Sequence, residues 1–392
     1  MNTRLIENQK STRAGEYRPQ PGGNSAFYPA EFPPSDFKLD LSLASQLSAA
    51  DRALGNLIGA AEVLPDTDVF VFMYVRREAV LSSQIEGTEA SLMDLLEWEK
   101  QAEGEERQVP VREISNYIQA MRHGLEALSR LPLSQRLIRS IHGVLMEGVR
   151  GGETHRTPGE FRRSQNWVGG PTPQTATYVP PPVPQMRDAL NQYESFLHTD
   201  SSIPPLIQVA LAHAQFETIH PFLDGNGRMG RLLITFQLAA QGILREPILY
   251  LSIFFKRNRR AYYDRLQAVR DDGDWEGWVS FFLQGVVEVA TDASETVSRV
   301  ITLRDGLREQ LTRDFGRRSG NAIQVLDNLF TYPLISVRDA VEITGLSQPA
   351  ANRLVNDLAE AGILRESTGR KRDRLFRFDS YLDLFTEREA RG

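Results

Sequence analysis

The stretch HPFLDGNGRMGR, residues 220–231, sets one histidine, one aspartate, three glycines, an asparagine and two arginines within twelve positions. Asn226, between Gly225 and Gly227, reads as a turn whose backbone takes angles closed to bulkier residues. Successive N–H groups in such a turn face a concavity suited to phosphate oxygens. A helical pattern, RMGRLLITFQLAAQG, follows at once, and the dipole at its start also favours an anion. Arg228 and Arg231 lie three apart near that start and share a face. Two guanidinium groups beside an anion nest imply a ligand with more than one phosphate. Asp224 stands where a magnesium ion bridging two phosphates would be in reach. His220 is the group here able to take a proton from an attacking hydroxyl near neutral pH. Phe222 is expected to be buried. Each residue alone also fits a polar loop before a helix; it is their conjunction that points to a nucleotide-handling site.

The surrounding chain is mostly helical by pattern. LASQLSAADRALGNLIGAAEVL and DVFVFMYVRREAVLSSQIEGTEASLMDLLEWEK, between Leu41 and Lys100, carry apolar residues at three- and four-residue spacing, interrupted by Gly87. Two amphipathic helices follow a charged connector, QAEGEERQVPVREIS, with Ser134 as N-cap of the second. Residues 151–185 break the pattern: QNWVGG and TATYVP, set among glycines and prolines, predict a β-hairpin with a long tip. Helical patterns then run on both sides of HPFLDGNGRMGR and as far as QL at 310–311. Residues 1–38, rich in proline and glycine, read as extended or irregular chain.

A chain of 392 residues, 41% hydrophobic and 24% charged, has the composition of a soluble globular protein of two or three domains. A net charge of −6 argues against a general nucleic-acid coat. The absence of cysteine excludes disulfides, thiolate zinc sites and cysteine nucleophiles. No signal-like or membrane-spanning apolar run is evident, so the expectation is a cytoplasmic protein with no membrane partner.

HPFLDGNGRMGR matches the HPFx[DE]GNGRxxR signature at every specified position and so resembles the Fic family. The expected hairpin, GEFRRSQNWVGG…TYVPPP, looks like that family's flap, upstream of the motif. The resemblance implies a mainly α fold: a Fic-type helical core with one β-hairpin flap, plus a C-terminal winged helix-turn-helix. It divides the chain into an extended segment (1–38), a helical region with an inhibitory helix (39–105), a catalytic core (106–315) and a winged helix (316–392). It further implies a protein adenylyltransferase, moving AMP from ATP to a Ser, Thr or Tyr hydroxyl of a target protein. His220 would be the base and Asp224 the Mg²⁺ ligand. Gly225, Asn226, Gly227, Arg228 and Gly230 would hold phosphates, and Arg231 would clamp the γ-phosphate. Tyr262 would help line the adenine pocket, with Tyr263, Asn258 and Arg270 near it, and the flap at Trp167–Val179 would pair with the target backbone. Self-modification and a homodimer are guesses for this architecture, and a family enzyme that removes AMP is a further alternative.

Ser82 and Glu86 in SSQIEG lie four apart on a predicted helix, with Gly87 allowing a turn, and match the family's [ST]xxxE[GN] inhibitory motif. That resemblance implies that Glu86 pairs with Arg231 and displaces the γ-phosphate. His213 is expected to pack in the core, since no third metal ligand accompanies it. At the C-terminus, SVRDAVEITG, SQPAANRLVNDLAEAGI and LRESTGRKRDRLFRFD have the order of a winged helix, with Gly345 in the turn. A DNA-binding regulator with a Fic-like sensor is therefore the other function considered. Arg353 is opposed by Asp357 and Glu360 on the would-be recognition helix, so a protein-interaction module is preferred over DNA.

Overall fold

The structure, a computed structural model, describes residues 12–64, 67–101, 109–149, 157–199, 202–369 and 374–386. The first eleven residues, most of the charged connector (102–108) and the centre of the basic turn (370–373) lie outside the described residues.

The chain opens on an antiparallel hairpin, β1 (Gly15–Pro19) and β2 (Ser25–Pro29), with Gly15 opposite Pro29 and Pro19 opposite Ser25. Within the segment expected as extended or irregular chain, these two extended stretches pair as strands. Both prolines stand at strand ends, where a missing N–H is tolerated. Gly15 is required there, because a Cβ would fall 2.2 Å from the Tyr28 carbonyl oxygen.

Helices follow as α1 (Leu41–Glu62), α2 (Thr67–Ile85), α3 (Leu92–Gln101), α4 (Val109–Leu128), α5 (Gln135–Leu145) and α6 (Val183–His198). Then come α7 (Pro205–Ile219), α8 (Asn226–Ala240), α9 (Ser252–Arg257), α10 (Arg259–Asp272) and α11 (Trp275–Phe315). The chain forms two compact units. The first runs to Leu54, takes in Glu78–Ala90 and holds the chain up to Val289; the second takes Gly55–Arg77, the segment from Ser91, and the chain from Ala290.

In the first unit α7 is the central helix. Every residue from Leu206 to Ile219 is buried, so it is covered on all sides rather than along one stripe. The Trp278 indole donates to the Ala210 carbonyl (2.7 Å), and Phe216, Phe222 and Phe236 are almost wholly enclosed. Each such side chain contributes about 1.5–3 kcal/mol of burial. Ser134 caps α5 by accepting from the Leu137 N–H, as its sequence predicts.

The segment expected as a β-hairpin flap is less regular. Val168 and Tyr178 form an isolated bridge, with N–H···O bonds of 2.8 and 3.1 Å. Pro171, Pro173 and Pro180–Pro182 remove donors on both sides of it, so no ladder extends.

The second unit continues through a 3-10 turn (Gly316–Arg318), α12 (Ser319–Thr331), β3 (Leu334–Ser336), α13 (Val337–Thr344) and α14 (Gln348–Glu360). It ends with β4 (Arg365–Glu366), β5 (Leu375–Arg377) and α15 (Asp379–Thr386), and the antiparallel sheet order is β3-β5-β4. Ser336 and Asp339 close a capping box on α13, and Gly345 ends that helix at φ 70°. No helix among the described residues is long and apolar enough to cross a membrane.

Candidate active site

The loop between α7 and α8 carries the site. His220 caps α7 in the left-handed region (φ 48°, ψ 61°), its N–H bonded to the Phe216 carbonyl at 2.9 Å. A non-glycine residue is rare there and needs outside support. Arg162 Nε (3.0 Å) and Asn166 Nδ2 (3.3 Å) supply it by donating to the His220 carbonyl. Asn166 Nδ2 also reaches the Phe222 carbonyl at 2.7 Å. Arg162 is 1% exposed and donates in addition to the Ser164 and Pro181 carbonyls, so one guanidinium ties both ends of the flap to the turn.

Asn226 closes the loop from the other side. Its Oδ1 accepts from the Phe222 N–H and its Nδ2 donates to the Phe222 carbonyl, both at 2.8 Å. Its backbone is helical, contrary to the expected special turn; the positive φ falls on Gly225 (77°), and α8 begins at Asn226 itself. The N–H groups of Asn226, Gly227 and Arg228 precede the first bonded one, Met229 to Gly225 (2.9 Å), and so make the anion-facing helix start. Gly225 is not among them, because its N–H goes to Asp224 Oδ1 at 2.7 Å.

His142, which the sequence reading passed over, fixes this loop from beneath. Its ring stacks on Phe222 at 3.6 Å between centroids and 4° between planes. Nδ1 accepts the Gly159 N–H (3.0 Å), so the proton sits on Nε2 and is donated to the Asp224 carbonyl (3.0 Å). Burial pushes its pKa down to about 4, which keeps that tautomer neutral.

The two arginines of α8 differ. Arg231 donates from Nε to Ser82 Oγ (2.8 Å) and from Nη2 to the Ser82 carbonyl (2.9 Å) and to Glu86 Oε1 (2.8 Å). Its side chain is 2% exposed and that of Glu86 36%. Burial raises the Glu86 pKa, but the Arg231 guanidinium more than offsets this and leaves it below the ordinary carboxylate value. Glu86 lies in the turn just past α2, not on the helix as expected, and Gly87 makes that turn at φ 95°. A Cβ at Gly227 would sit 2.2 Å from Glu86 Oε1, so the carboxylate fills room that only glycine leaves. Arg228 is 5% exposed; Nη2 contacts the Met146 sulfur at 3.5 Å, and Nε and Nη1 have no hydrogen-bond partner. Arg231 Nη1 and His220 Nδ1 are likewise unpartnered and buried.

Burial, helped by Arg270 and Arg162, pushes the His220 pKa down to about 3, so its imidazole is neutral. Arg270 stands behind the turn: Nε bonds Thr218 Oγ1 (3.3 Å), Nη2 the Glu217 carbonyl (3.2 Å), and its guanidinium stacks over Tyr178 at 3.9 Å. Glu217 is 7% exposed with Oε1 unpartnered, and burial raises its pKa to about 7. Glu78, two turns of α2 before Glu86, is also pushed by burial to about 7 while accepting from Tyr117 and Ser252. His213 is wholly buried, bonded to the Gly230 carbonyl (3.1 Å) and the Tyr262 hydroxyl (2.9 Å). Gly230 keeps α7 and α8 close: a Cβ there would meet Glu217 Oε1 at 2.4 Å. Tyr262 is 1% exposed, so the ring of this pair that faces outward is Tyr263, at 39%.

The β1–β2 hairpin supports the flap. The Phe27 N–H donates to the Val179 carbonyl (3.0 Å), and Gln174 Nε2 to the Gly22 carbonyl (2.8 Å). Among the described residues no group of three or more His, Cys, Asp or Glu is placed to hold a metal. A site of one carboxylate completed by ligand oxygens and water, as Mg²⁺ beside phosphates uses, is what Asp224 fits.

These features define a class: a helical domain with a basic, largely enclosed cup at a helix start and a neutral imidazole beside it. Residues 44–126 match the Fic/DOC family N-terminal profile and residues 132–238 the Fic/DOC family profile. The protein adenylyltransferase Fic of Aedes aegypti is 39% identical over 125 residues, covering 31% of this chain and 22% of that protein. The protein adenylyltransferase Fic of Culex quinquefasciatus is 31% identical over 175 residues, covering 42% and 32%. The chain thus spans 22–32% of the length of these relatives. In fold it is similar to a Fic family protein from Desulfovibrio desulfuricans (TM-score 0.55, 18% identity, covering 87% of this chain and 97% of that one). A Fic domain containing signaling protein from Bacteroides thetaiotaomicron is similar too (TM-score 0.52, 16% identity, 64% and 97%).

Proposed function

We propose that the chain is a protein adenylyltransferase that uses ATP to modify a hydroxyl of a protein target. The observation that carries this reading is the set of buried guanidinium atoms without partners, Arg228 Nε and Nη1 and Arg231 Nη1, at the start of α8. A buried cation left unbonded is costly, and a polyphosphate would satisfy all three atoms together with the helix N–H groups. His220, neutral and held in place through its backbone, takes the proton of the attacking hydroxyl. The hydroxyl oxygen bonds to the α-phosphorus as the bond to the bridging oxygen breaks, and pyrophosphate leaves. Asp224 would hold Mg²⁺, which would offset phosphate charge when bound. The flap, anchored by Arg162, would present the target backbone at a set register.

Glu86 acts as a brake on this reading. Its bond to Arg231 occupies the guanidinium that would clamp the γ-phosphate, which supports an inhibited ground state. The second unit we read as a winged helix: α13, the turn at Gly345, α14 and the β3-β5-β4 sheet come in the right order. A protein-interaction role is favoured over DNA because Arg374 is bonded to Asn352, Asn356 and Glu366 rather than free for phosphate.

The deciding measurement is transfer from labelled ATP by the purified chain. Label moving to protein from the α position and not the γ position, and lost in His220→Ala, is expected. Transfer of γ-label, or α-label transfer that survives His220→Ala, would refute the reading.

A further inference from the structure

Glu86 and Glu217 stand far apart in the chain, and α8 brings their carboxyl groups to one guanidinium. A Cβ at Gly227 would meet Glu86 Oε1 at 2.2 Å and Arg231 Nη1 at 3.1 Å, and a Cβ at Gly230 would meet Glu217 Oε1 at 2.4 Å. Residues three apart on a helix have Cβ positions about 5–6 Å apart, so these two oxygens lie within about 10 Å, in neighbouring glycine notches of α8. Glu86 has its bond to Arg231 Nη2. Glu217 Oε1 is buried and has no partner. Such an oxygen is costly in a carboxylate and much less so in a neutral acid.

The groups that face Glu217 are Tyr193 from α6, His213 on α7 itself, Arg231 from α8, Tyr262, Tyr263 and Arg270 from α10, and Glu86. Burial raises the three tyrosines and keeps His213 neutral, its pKa pushed down to about 3. The two guanidinium groups hold their charge. Glu86 is therefore the charge in this set that departs when the brake opens. Burial, with Glu86 adding to it, holds the Glu217 pKa at about 7 against the pull of Arg231 and Arg270.

We propose that the brake is proton-coupled: seating Glu86 on Arg231 favours a proton on Glu217, and that proton in turn tightens the seat of Glu86. The proposal rests on the reading of Glu86 as a brake. Coupling free energies are reciprocal, so whatever Glu86 does to the proton affinity of Glu217, the proton does to the docking of Glu86. Glu217 is thus a positioning residue that acts through Arg231. The seated state binds more protons than the open one, so acid holds the site closed and the brake loosens as pH rises through about 7. At about 10 Å and an effective dielectric of about 20, the repulsion of two carboxylates is worth about tenfold in an equilibrium constant. Solvent at Glu86, which is 36% exposed, brings the expected figure to about threefold to tenfold.

The test uses the full chain at limiting labelled ATP between pH 5.5 and 8.5. The quantity read is α-label transfer by Glu86→Gly divided by that of wild type at each pH. The reacting complex is common to both proteins, so its own protonation cancels from this ratio. The ratio is expected to fall about threefold to tenfold from the acid to the alkaline end, and to stay at its acid value throughout in the Glu217→Gln background. Carboxyl ¹³C titration of the nucleotide-free protein gives a second readout: the Glu217 midpoint is expected to be higher in wild type than in Glu86→Gly. That comparison decides alone if Glu217→Gln does not fold, or if no protein transfers label, the outcome that would refute AMP transfer itself. A ratio near one at every pH removes the brake and the coupling with it. A ratio above one that is flat with pH, a slope that persists in Glu217→Gln, or equal midpoints overturns the coupling and leaves the brake standing.

Discussion

Arg228 and Arg231 leave the same turn of α8, and their surroundings are opposite. Arg231 is bonded through Nε and Nη2 to a hydroxyl, a carbonyl and a carboxylate from the chain around Ser82 and Glu86, and only its Nη1 is unbonded. Arg228 has a sulfur contact and two unbonded nitrogens. The difference shows where each half of the site gets its missing partner. One half is largely bonded from within the chain and, on the proposed function, would have to be vacated before it could hold the γ-phosphate. The other half is held ready at a standing cost to the fold.

The largest effect bears on His220, the base of the proposed reaction. In a Glu86→Gly background, His220→Ala is expected to slow AMP transfer about 10²–10⁴-fold while nucleotide binding persists; a loss of binding instead would make His220 a structural residue. Next is the brake itself. Glu86→Gly is expected to raise α-label transfer by about 5–150-fold, the usual span of coupling between competing contacts. Equal labelling of mutant and wild type would remove the contrast between the arginines.

The contrast also predicts opposite stabilities. Arg231→Gln strands Ser82 and Glu86 and is expected to cost about 1–2 kcal/mol in urea unfolding, less than a fully buried pair because Glu86 is 36% exposed. Arg228→Gln is expected to leave the free protein as stable or more so, yet to weaken ATP binding about tenfold or more. Destabilisation by Arg228→Gln would mean that its unbonded nitrogens are already satisfied.

The smallest effects concern protons. Burial holds His142, His213 and His220 neutral, with pKa values of about 4, 3 and 3 against an ordinary 6.5. Unfolding lets them take up protons, so they contribute stability above pH 6.5 that is lost as pH falls toward those folded values. Glu78 and Glu217, about 7 when folded against 4.5, act in the other direction: their contribution is full below 4.5 and lost as pH rises through 7. Histidine NMR of the nucleotide-free protein should show three rings that do not titrate between pH 8 and 5. In Glu86→Gly the like charge beside Glu217 is gone and its pKa should fall, readable by carboxyl ¹³C shifts; an unchanged value would show that the two carboxylates do not share Arg231.

How much of this was legible follows from how far apart the partners lie in the chain. The helix start at Asn226 and the left-handed cap at Gly225 are written in adjacent glycines, although the special angle was expected one residue late. The Ser82–Glu86 spacing carried their shared contact with Arg231, yet not the end of α2 at Ile85. His142, Arg162 and Asn166 act across 82, 58 and 54–56 residues and leave no local pattern, so sequence reading missed them. An arginine just before a β-prone run was the available signal for Arg162. The β1–β2 hairpin was hidden by its prolines, which read as breakers when they are strand ends.

Gly227 has a consequence for how such a chain can change. One hydrogen where other residues carry a Cβ leaves a single small space, which the Glu86 carboxylate fills and which, on the proposed function, the outer phosphate of ATP would take. On that reading no substitution there could tighten one tenancy without evicting both, so control and turnover would drift together.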